Sequence, residues 1–251
     1  MNKVNFQNSR GLNIVGNLNS VDSNTVIIMA HGFTSNKASR GRFDKLAEAL
    51  NKAGYDALAI DFSGCGESDD DFLTVEKEVD DLNSAIQFVK SKGYERIALY
   101  GHSLGSLICL KCYSNEIVTM VLSGALTGPM KYNWDEFYTK EQMQELEEKG
   151  YLTEHTPKEV RKKVLVDKQI LKDFEMINQE NLLRDVNCPV LIIHGNNDEE
   201  EKQLYERSKS AMTLLSNDSK LKVIDGADHS FLEHFRILVV LTIDWYKKHL
   251  N

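Results

Sequence analysis

The sequence predicts an α/β fold: a mainly parallel central sheet with helices on both faces and a small helical insertion. Three observations carry this. Short apolar runs rich in β-branched residues alternate with segments of helical period along most of the 251 residues. Those runs are continuous, as expected of strands buried on both faces, and do not show the in–out alternation of a half-exposed sheet. One charged interval, 126–185, breaks the rhythm and carries no strand pattern.

The elements follow in order. "KVNFQN" and "LNIVGNL" flank Ser9, Arg10 and Gly11 and read as an opening β-hairpin. "TVIIMA" is a buried strand, and "RFDKLAEALNKAGY" is an amphipathic helix with Gly54 placed to end it. "DALAIDF" is strand, "VEKEVDDLNSAIQFVKSKGY" helix, "RIALY" strand and "SLICLKCY" helix. "IVTMVLSG", "PVLIIHG" and "KLKVID" add three strands. The core therefore spans 1–125 and 186–251, with 126–185 as a helical cap over the sheet edge where loops gather. The cap holds Tyr132, Trp134, Phe137, Tyr138, Tyr151 and Phe174, which form either its own core or a substrate wall.

Composition narrows the function classes. Hydrophobic residues at 41% and charged residues at 27% suit a soluble globular chain. A net charge of −8 with no basic block argues against a nucleic-acid partner. The start "MNKVNFQNSRGLNIVGNL" lacks the apolar core of a signal peptide, and "ILVVL" is too short to span a bilayer. A cytoplasmic protein without a membrane partner is expected; a homodimer stays open. Four cysteines do not make a disulfide framework. Cys109 and Cys112 form a C-x-x-C pair, but Cys65 and Cys188 offer no second ligand pair, so packing explains it and no metal or cofactor is expected.

"RIALYGHSLGSLICLKCY" places Ser103 between Gly101 and Gly105 at a strand-to-helix seam. G-x-S-x-G in that context is a nucleophile elbow. The serine takes a strained conformation that lifts its hydroxyl above the sheet, and the flanking glycines let strand and helix approach. The helix N-terminus then points at the serine, so the Leu104 amide can donate to developing negative charge.

With "AHGFTSNK", "DFSGCGESD", "GHSLG", "LIIHGNND" and "DGADHSF" in that order, the chain resembles the α/β-hydrolase superfamily over nearly its whole length. Among subfamilies it looks most like the capped carboxylesterases of the cinnamoyl/feruloyl esterase, monoacylglycerol lipase and serine-aminopeptidase-like group. The resemblance implies an α/β-hydrolase fold and a triad of Ser103 as nucleophile, His229 as base and Asp198 as the acid orienting it. Its oxyanion hole would be the backbone N–H groups of Phe33 and Leu104. "DEEEKQ" after Asp198 departs from the family's pattern, and Glu199, Asp225 and Asp228 are alternative acids. His31 braces the oxyanion loop or lines the substrate site with Tyr132, Trp134, Phe137 and Tyr138. His102 has a packing or loop role, His194 is a satisfied core histidine, and His155 and His234 are surface residues.

The resulting expectation is a metal-free serine esterase acting on a small-molecule ester with a short to medium acyl or aryl-acyl group. An aminopeptidase, thioesterase or acylglycerol lipase on the same residues, or a cofactor-free haloperoxidase or lyase, is the alternative. A haloalkane dehalogenase would need a carboxylate where Ser103 stands. A non-catalytic module would be expected to have lost part of the triad.

Overall fold

A computed structural model describes residues 1–156 and 160–250. Eight strands form the main sheet: β1 (Asn2–Gln7), β2 (Asn13–Asn19), β3 (Thr25–Ala30), β4 (Asp56–Ile60), β6 (Arg96–His102), β7 (Ile117–Ser123), β10 (Val190–His194) and β11 (Lys220–Val223). Their order is β1-β2-β4-β3-β6-β7-β10-β11. The hairpin strands β1 and β2 run antiparallel, and every pairing from β4 to β11 is parallel. Helices α1 (Arg42–Lys52), α2 (Val75–Ser91), α3 (Leu104–Lys111), α8 (Glu199–Ala211) and α9 (Phe235–Leu250) cover the two faces.

The continuous apolar runs are the reason for this layering. Every residue of β3, β4 and β10 is buried, so the sheet must be covered on both sides. Two apolar clusters result. One holds Ile28, Leu99 and Met120 with Leu82 of α2 and Leu107 of α3; the other holds Ile27, Tyr100 and Val121 with Phe43 of α1 and Tyr246 of α9. Local signals agree with the tertiary demand. Thr74 caps α2 by accepting from the Lys77 N–H, an interaction whose loss typically costs about 1 kcal/mol. Gly54, at φ +91°, closes α1 as its position in the sequence predicts.

The insertion differs from the helical cap expected. It contains the helices α4 (Trp134–Phe137), α5 (Lys140–Lys149), α6 (Lys168–Asp173) and α7 (Gln179–Leu183), but also β8 (Tyr151–His155) and β9 (Lys163–Asp167). These pair antiparallel, and β9 runs parallel to β5 (Phe72–Leu73), a two-residue strand contributed by the core. The cap is therefore mixed α/β and stitched to the core through backbone hydrogen bonds. Gly150, in the left-handed region at φ +79°, ends α5 and turns the chain directly into β8. Leu152, Val164 and Val166 supply the buried face of this small sheet. Residues 157–159 of the cap lie outside the described residues.

Candidate active site

Ser103 follows the last residue of β6 and precedes α3, with φ 55° and ψ −124°. No β-branched or bulky residue accepts such a backbone without strain, and serine does so only because its surroundings enforce it. The glycines explain how. A Cβ on Gly101 would lie 2.6 Å from the Gly105 carbonyl oxygen, and one on Gly105 would lie 2.2 Å from that of Ala30. Strand β3, strand β6 and helix α3 thus meet at backbone contact. Gly32 is similar: a Cβ there would approach the Ser103 Cβ to 3.2 Å, so the loop after β3 lies directly against the serine.

His229, from the loop after β11, places Nε2 2.9 Å from Ser103 Oγ. Its other nitrogen, Nδ1, lies 2.5 Å from Oε1 of Glu201, in the first turn of α8. The structure thus brings together Ser103, His229 and Glu201 over separations of 126 and 28 residues. Asp198 does not hold the ring. Its Oδ1 accepts from the Glu201 N–H at 2.7 Å as the N-cap of α8, and its Oδ2 accepts from the His229 backbone N–H at 2.7 Å. The expectation for Asp198 is corrected: it fixes the backbone of both neighbours, and Glu201 supplies the carboxylate. Glu199 is likewise not that acid, and Asp225 and Asp228 bond Asn196 and the Ser230–Phe231 turn.

The helix register of α8 could have found Glu201. Glu201, Leu204, Ser208 and Ala211 are its buried face. Of three consecutive glutamates only the one in step with that stripe points inward, and a buried glutamate needs partners. It has three: His229, the His194 Nδ1 at 2.9 Å and the Gly195 N–H at 2.7 Å. Burial by itself would raise the Glu201 pKa, but the hydrogen bonds from His194 and His229 outweigh it and hold the carboxyl well below the usual range. For His229, burial works against the charged form. The hydrogen bond to Glu201 and the charges of Glu200, Glu201 and Asp198 reverse this and raise its pKa above the ordinary 6.5.

Other groups frame the array. His102 is buried, and burial with the neighbouring Arg42 and His229 pushes its pKa well down, so it is a neutral ring. It contacts Ser123 Oγ through Nδ1 at 3.1 Å and accepts from Arg42 Nη1 through Nε2 at 3.2 Å. Arg42, unnoticed in the sequence, also donates to the Ser230 carbonyl and the Ser39 hydroxyl, tying the histidine loop to the start of α1. His31 is fully buried, with Nδ1 bonded to the Gly32 carbonyl at 2.8 Å and Nε2 accepting from the Phe62 N–H at 3.3 Å. It braces the loop and does not reach the cavity, so its candidacy as a substrate contact is withdrawn.

A cavity of about 970 Å³ opens over Ser103 and His229, walled by Phe33, Tyr132, Trp134, Phe137, Tyr138 and Phe174. Trp134 lies 4.9 Å from Tyr132 and 6.1 Å from Tyr138 between ring centroids, and Phe33 meets Phe174 edge-on at 5.7 Å. His155, expected at the surface, also lines it. All four cysteines are buried free thiols away from this cavity.

Gly124 gives a sharp test of the geometry. Its φ is +55°, and a Cβ there would meet His229 Cε1 at 2.7 Å and Glu201 Oε1 at 3.0 Å. Gly124→Ala is expected to force imidazole and carboxylate apart. Turnover should fall by about 10²-fold, as misplacing a reacting group by about 1 Å does, with the fold retained by circular dichroism. Wild-type turnover in this variant would contradict the placement.

A family model described as serine aminopeptidase, S33, matches residues 22–234. The human protein ABHD12B is 24% identical over 238 residues, 90% of this chain, which spans 62% of that relative's length. Among solved structures, Est1E from Butyrivibrio proteoclasticus with bound ferulic acid is 19% identical. Its TM-score is 0.77, with 98% of this chain and 99% of that one covered. The Pyrococcus furiosus esterase Pf2001 is 21% identical with a TM-score of 0.75, covering 100% and 91%. These two likenesses establish the α/β-hydrolase fold. Among the described residues, no helix is long and apolar enough to cross a membrane.

Proposed function

The chain belongs to the serine aminopeptidase S33 family of α/β hydrolases, and from that premise we propose that it is a carboxylesterase-type serine hydrolase using Ser103, His229 and Glu201. The observation that carries this is the unbroken hydrogen-bonded line from Ser103 Oγ through His229 to Glu201. A hydroxyl is too weak a nucleophile alone; an imidazole at 2.9 Å, fixed in one tautomer by a carboxylate, removes that barrier.

The chemistry follows. Ser103 Oγ attacks the ester carbonyl while its proton passes to His229 Nε2. The carbonyl oxygen gains negative charge and is met by the backbone N–H groups of Phe33 and Leu104, the latter in the first turn of α3, where N–H groups have no partner within the helix. The tetrahedral adduct collapses, the C–O bond to the alcohol breaks, and the alkoxide takes the proton from Nε2. Water, deprotonated by His229, then attacks the acyl-enzyme; the acid leaves and Ser103 recovers its proton. Asp198 contributes by holding the His229 backbone.

The aromatic wall supports a short to medium acyl or aryl-acyl group lying between Phe33, Trp134 and Phe174. That Est1E binds ferulic acid adds to the aryl-acyl reading. A second reading, an aminopeptidase, draws on Glu154 and Glu200. Both line the cavity, and among the described residues neither is ion-paired to a lysine or arginine, so a substrate amine could sit there.

Short p-nitrophenyl esters, hydroxycinnamoyl esters and aminoacyl anilides, with a fluorophosphonate probe, decide between these. Ester turnover with labelling at Ser103 is the expected result. Faster anilide turnover would promote the peptidase reading, and an unlabelled Ser103 would end both.

A further inference from the structure

We propose that His194 is a positioning residue for the reaction, holding Glu201 by its second carboxylate oxygen so that the first stays aimed at His229. The proposal rests on reading Ser103, His229 and Glu201 as the catalytic array. It goes beyond that reading because His194 touches neither the cavity nor His229.

His194 ends β10, and Glu201 lies in the first turn of α8 seven residues later. A glutamate has one more rotatable bond than the aspartate the family's motif places after this strand, so aiming its carboxylate costs more side-chain freedom. The structure counters this with two donors on Oε2 from consecutive residues: His194 Nδ1 at 2.9 Å and the Gly195 N–H at 2.7 Å. Together they fix the carboxylate plane, and Oε1 reaches His229 Nδ1 at 2.5 Å.

The far side of the His194 ring sets its tautomer. Nε2 lies 2.8 Å from Ser208 Oγ, which lies 3.1 Å from Thr127 Oγ1. With Nδ1–H committed to Glu201, Nε2 is a lone pair accepting from the Ser208 hydroxyl, and Thr127 donates to Ser208. His194, Ser208 and Thr127 are all 0% exposed, so no water competes for these bonds. A histidine needed only as core would be satisfied by any carbonyl; here its one acidic N–H is spent on the carboxylate behind the base.

The ionisable groups around Glu201 and His194 set what the test reads. His229 faces Glu201 from the loop after β11, and Glu200 and Asp198 flank it on α8. His102 approaches from β6 with Arg42 of α1 behind it, and the Tyr205 ring of α8 lies 6.3 Å from His194. Of these only His194 and His229 bond the Glu201 side chain. Removing the His194 N–H leaves more of the carboxylate charge on Oε1, which favours the imidazolium form of His229.

Two measurements test this. In 15N-histidine-labelled wild-type protein, His194 is expected to be protonated at Nδ1 and unprotonated at Nε2. The reverse tautomer would overturn the proposal whether or not esters are cleaved. In steady-state kinetics, His194→Leu is expected to lower kcat by about tenfold to a hundredfold with KM little changed. The acid limb of kcat/KM should move to higher pH. His194→Asn, whose amide nitrogen can occupy the Nδ1 position, should recover most of kcat and restore the limb. A leucine variant with unchanged kcat and acid limb, or an asparagine variant no better than leucine, would reduce His194 to packing. Should the leucine variant not fold, the wild-type tautomer still decides. Absence of any turnover in wild-type protein would instead end the catalytic reading of Ser103 and leave the tautomer result standing.

Discussion

Replacing Ser103 by alanine and by glycine is expected to give two inactive proteins with an inverted order of stability. Both variants lose the attacking oxygen, and kcat for a p-nitrophenyl ester should fall by about 10⁶-fold in each, as when a serine hydrolase loses its nucleophile. Both also lose the contact with His229 Nε2. What separates them is the backbone. At φ 55° and ψ −124° any side chain is strained, by about 1–3 kcal/mol, whereas glycine is not. Elsewhere a glycine in place of alanine costs about 0.5–1 kcal/mol through the entropy of the unfolded chain. The glycine variant should therefore be the more stable by about 1 kcal/mol, a rise in unfolding midpoint of about 2–4 °C for a domain of this size. Differential scanning calorimetry reads the sign directly. If the alanine variant unfolds at the higher temperature, the elbow is not strained, and its glycines must be explained otherwise.

That strain is also why the elbow was legible in the sequence. Gly101 and Gly105 are dictated by contacts closer than a Cβ allows, so few other residues fit on either side of Ser103. The buried strands were legible for a similar reason: "TVIIMA" and "VLIIH" have no exposed position, and a wholly apolar run leaves little ambiguity. The cap strands β8 and β9 were not, because each has only five residues and mixes charged or polar side chains with apolar ones. The pairing of β9 with Phe72 and Leu73 depends on a segment some ninety residues away, which no local pattern announces. The family order of motifs brought Ser103 and His229 to the same place. It misassigned the acid because Asp198 begins a D-x-x-E helix start, where an aspartate is also what the helix end requires. Two demands met at one position, and the helix won the side chain.

Glu201→Gln is therefore the variant that separates the two acids. A glutamine keeps the shape but offers one acceptor and one donor where three N–H groups now converge. Whichever way the amide turns, at least one N–H meets another. The relief open to His229 is to carry its proton on Nε2 instead, and that ring cannot accept the proton of Ser103. The expected loss in kcat is about 10⁴-fold, the scale set by a wrong imidazole tautomer. The remaining activity should titrate differently. Productive His229 is neutral, so activity is lost as pH falls through its pKa, which Glu201 raises. Removing that charge moves the acid limb of kcat/KM to lower pH. Asp198→Ala removes the N-cap of α8 and the tether on the His229 backbone, and its main effect should be on stability, about 1 kcal/mol for the cap. Its kcat should stay about a hundredfold or more above that of Glu201→Gln, with the helix content of α8 reporting the damage. Equal losses of turnover in the two variants would mean that the loop rearranges in solution to let Asp198 reach the ring, and Glu201 would lose its place beside His229.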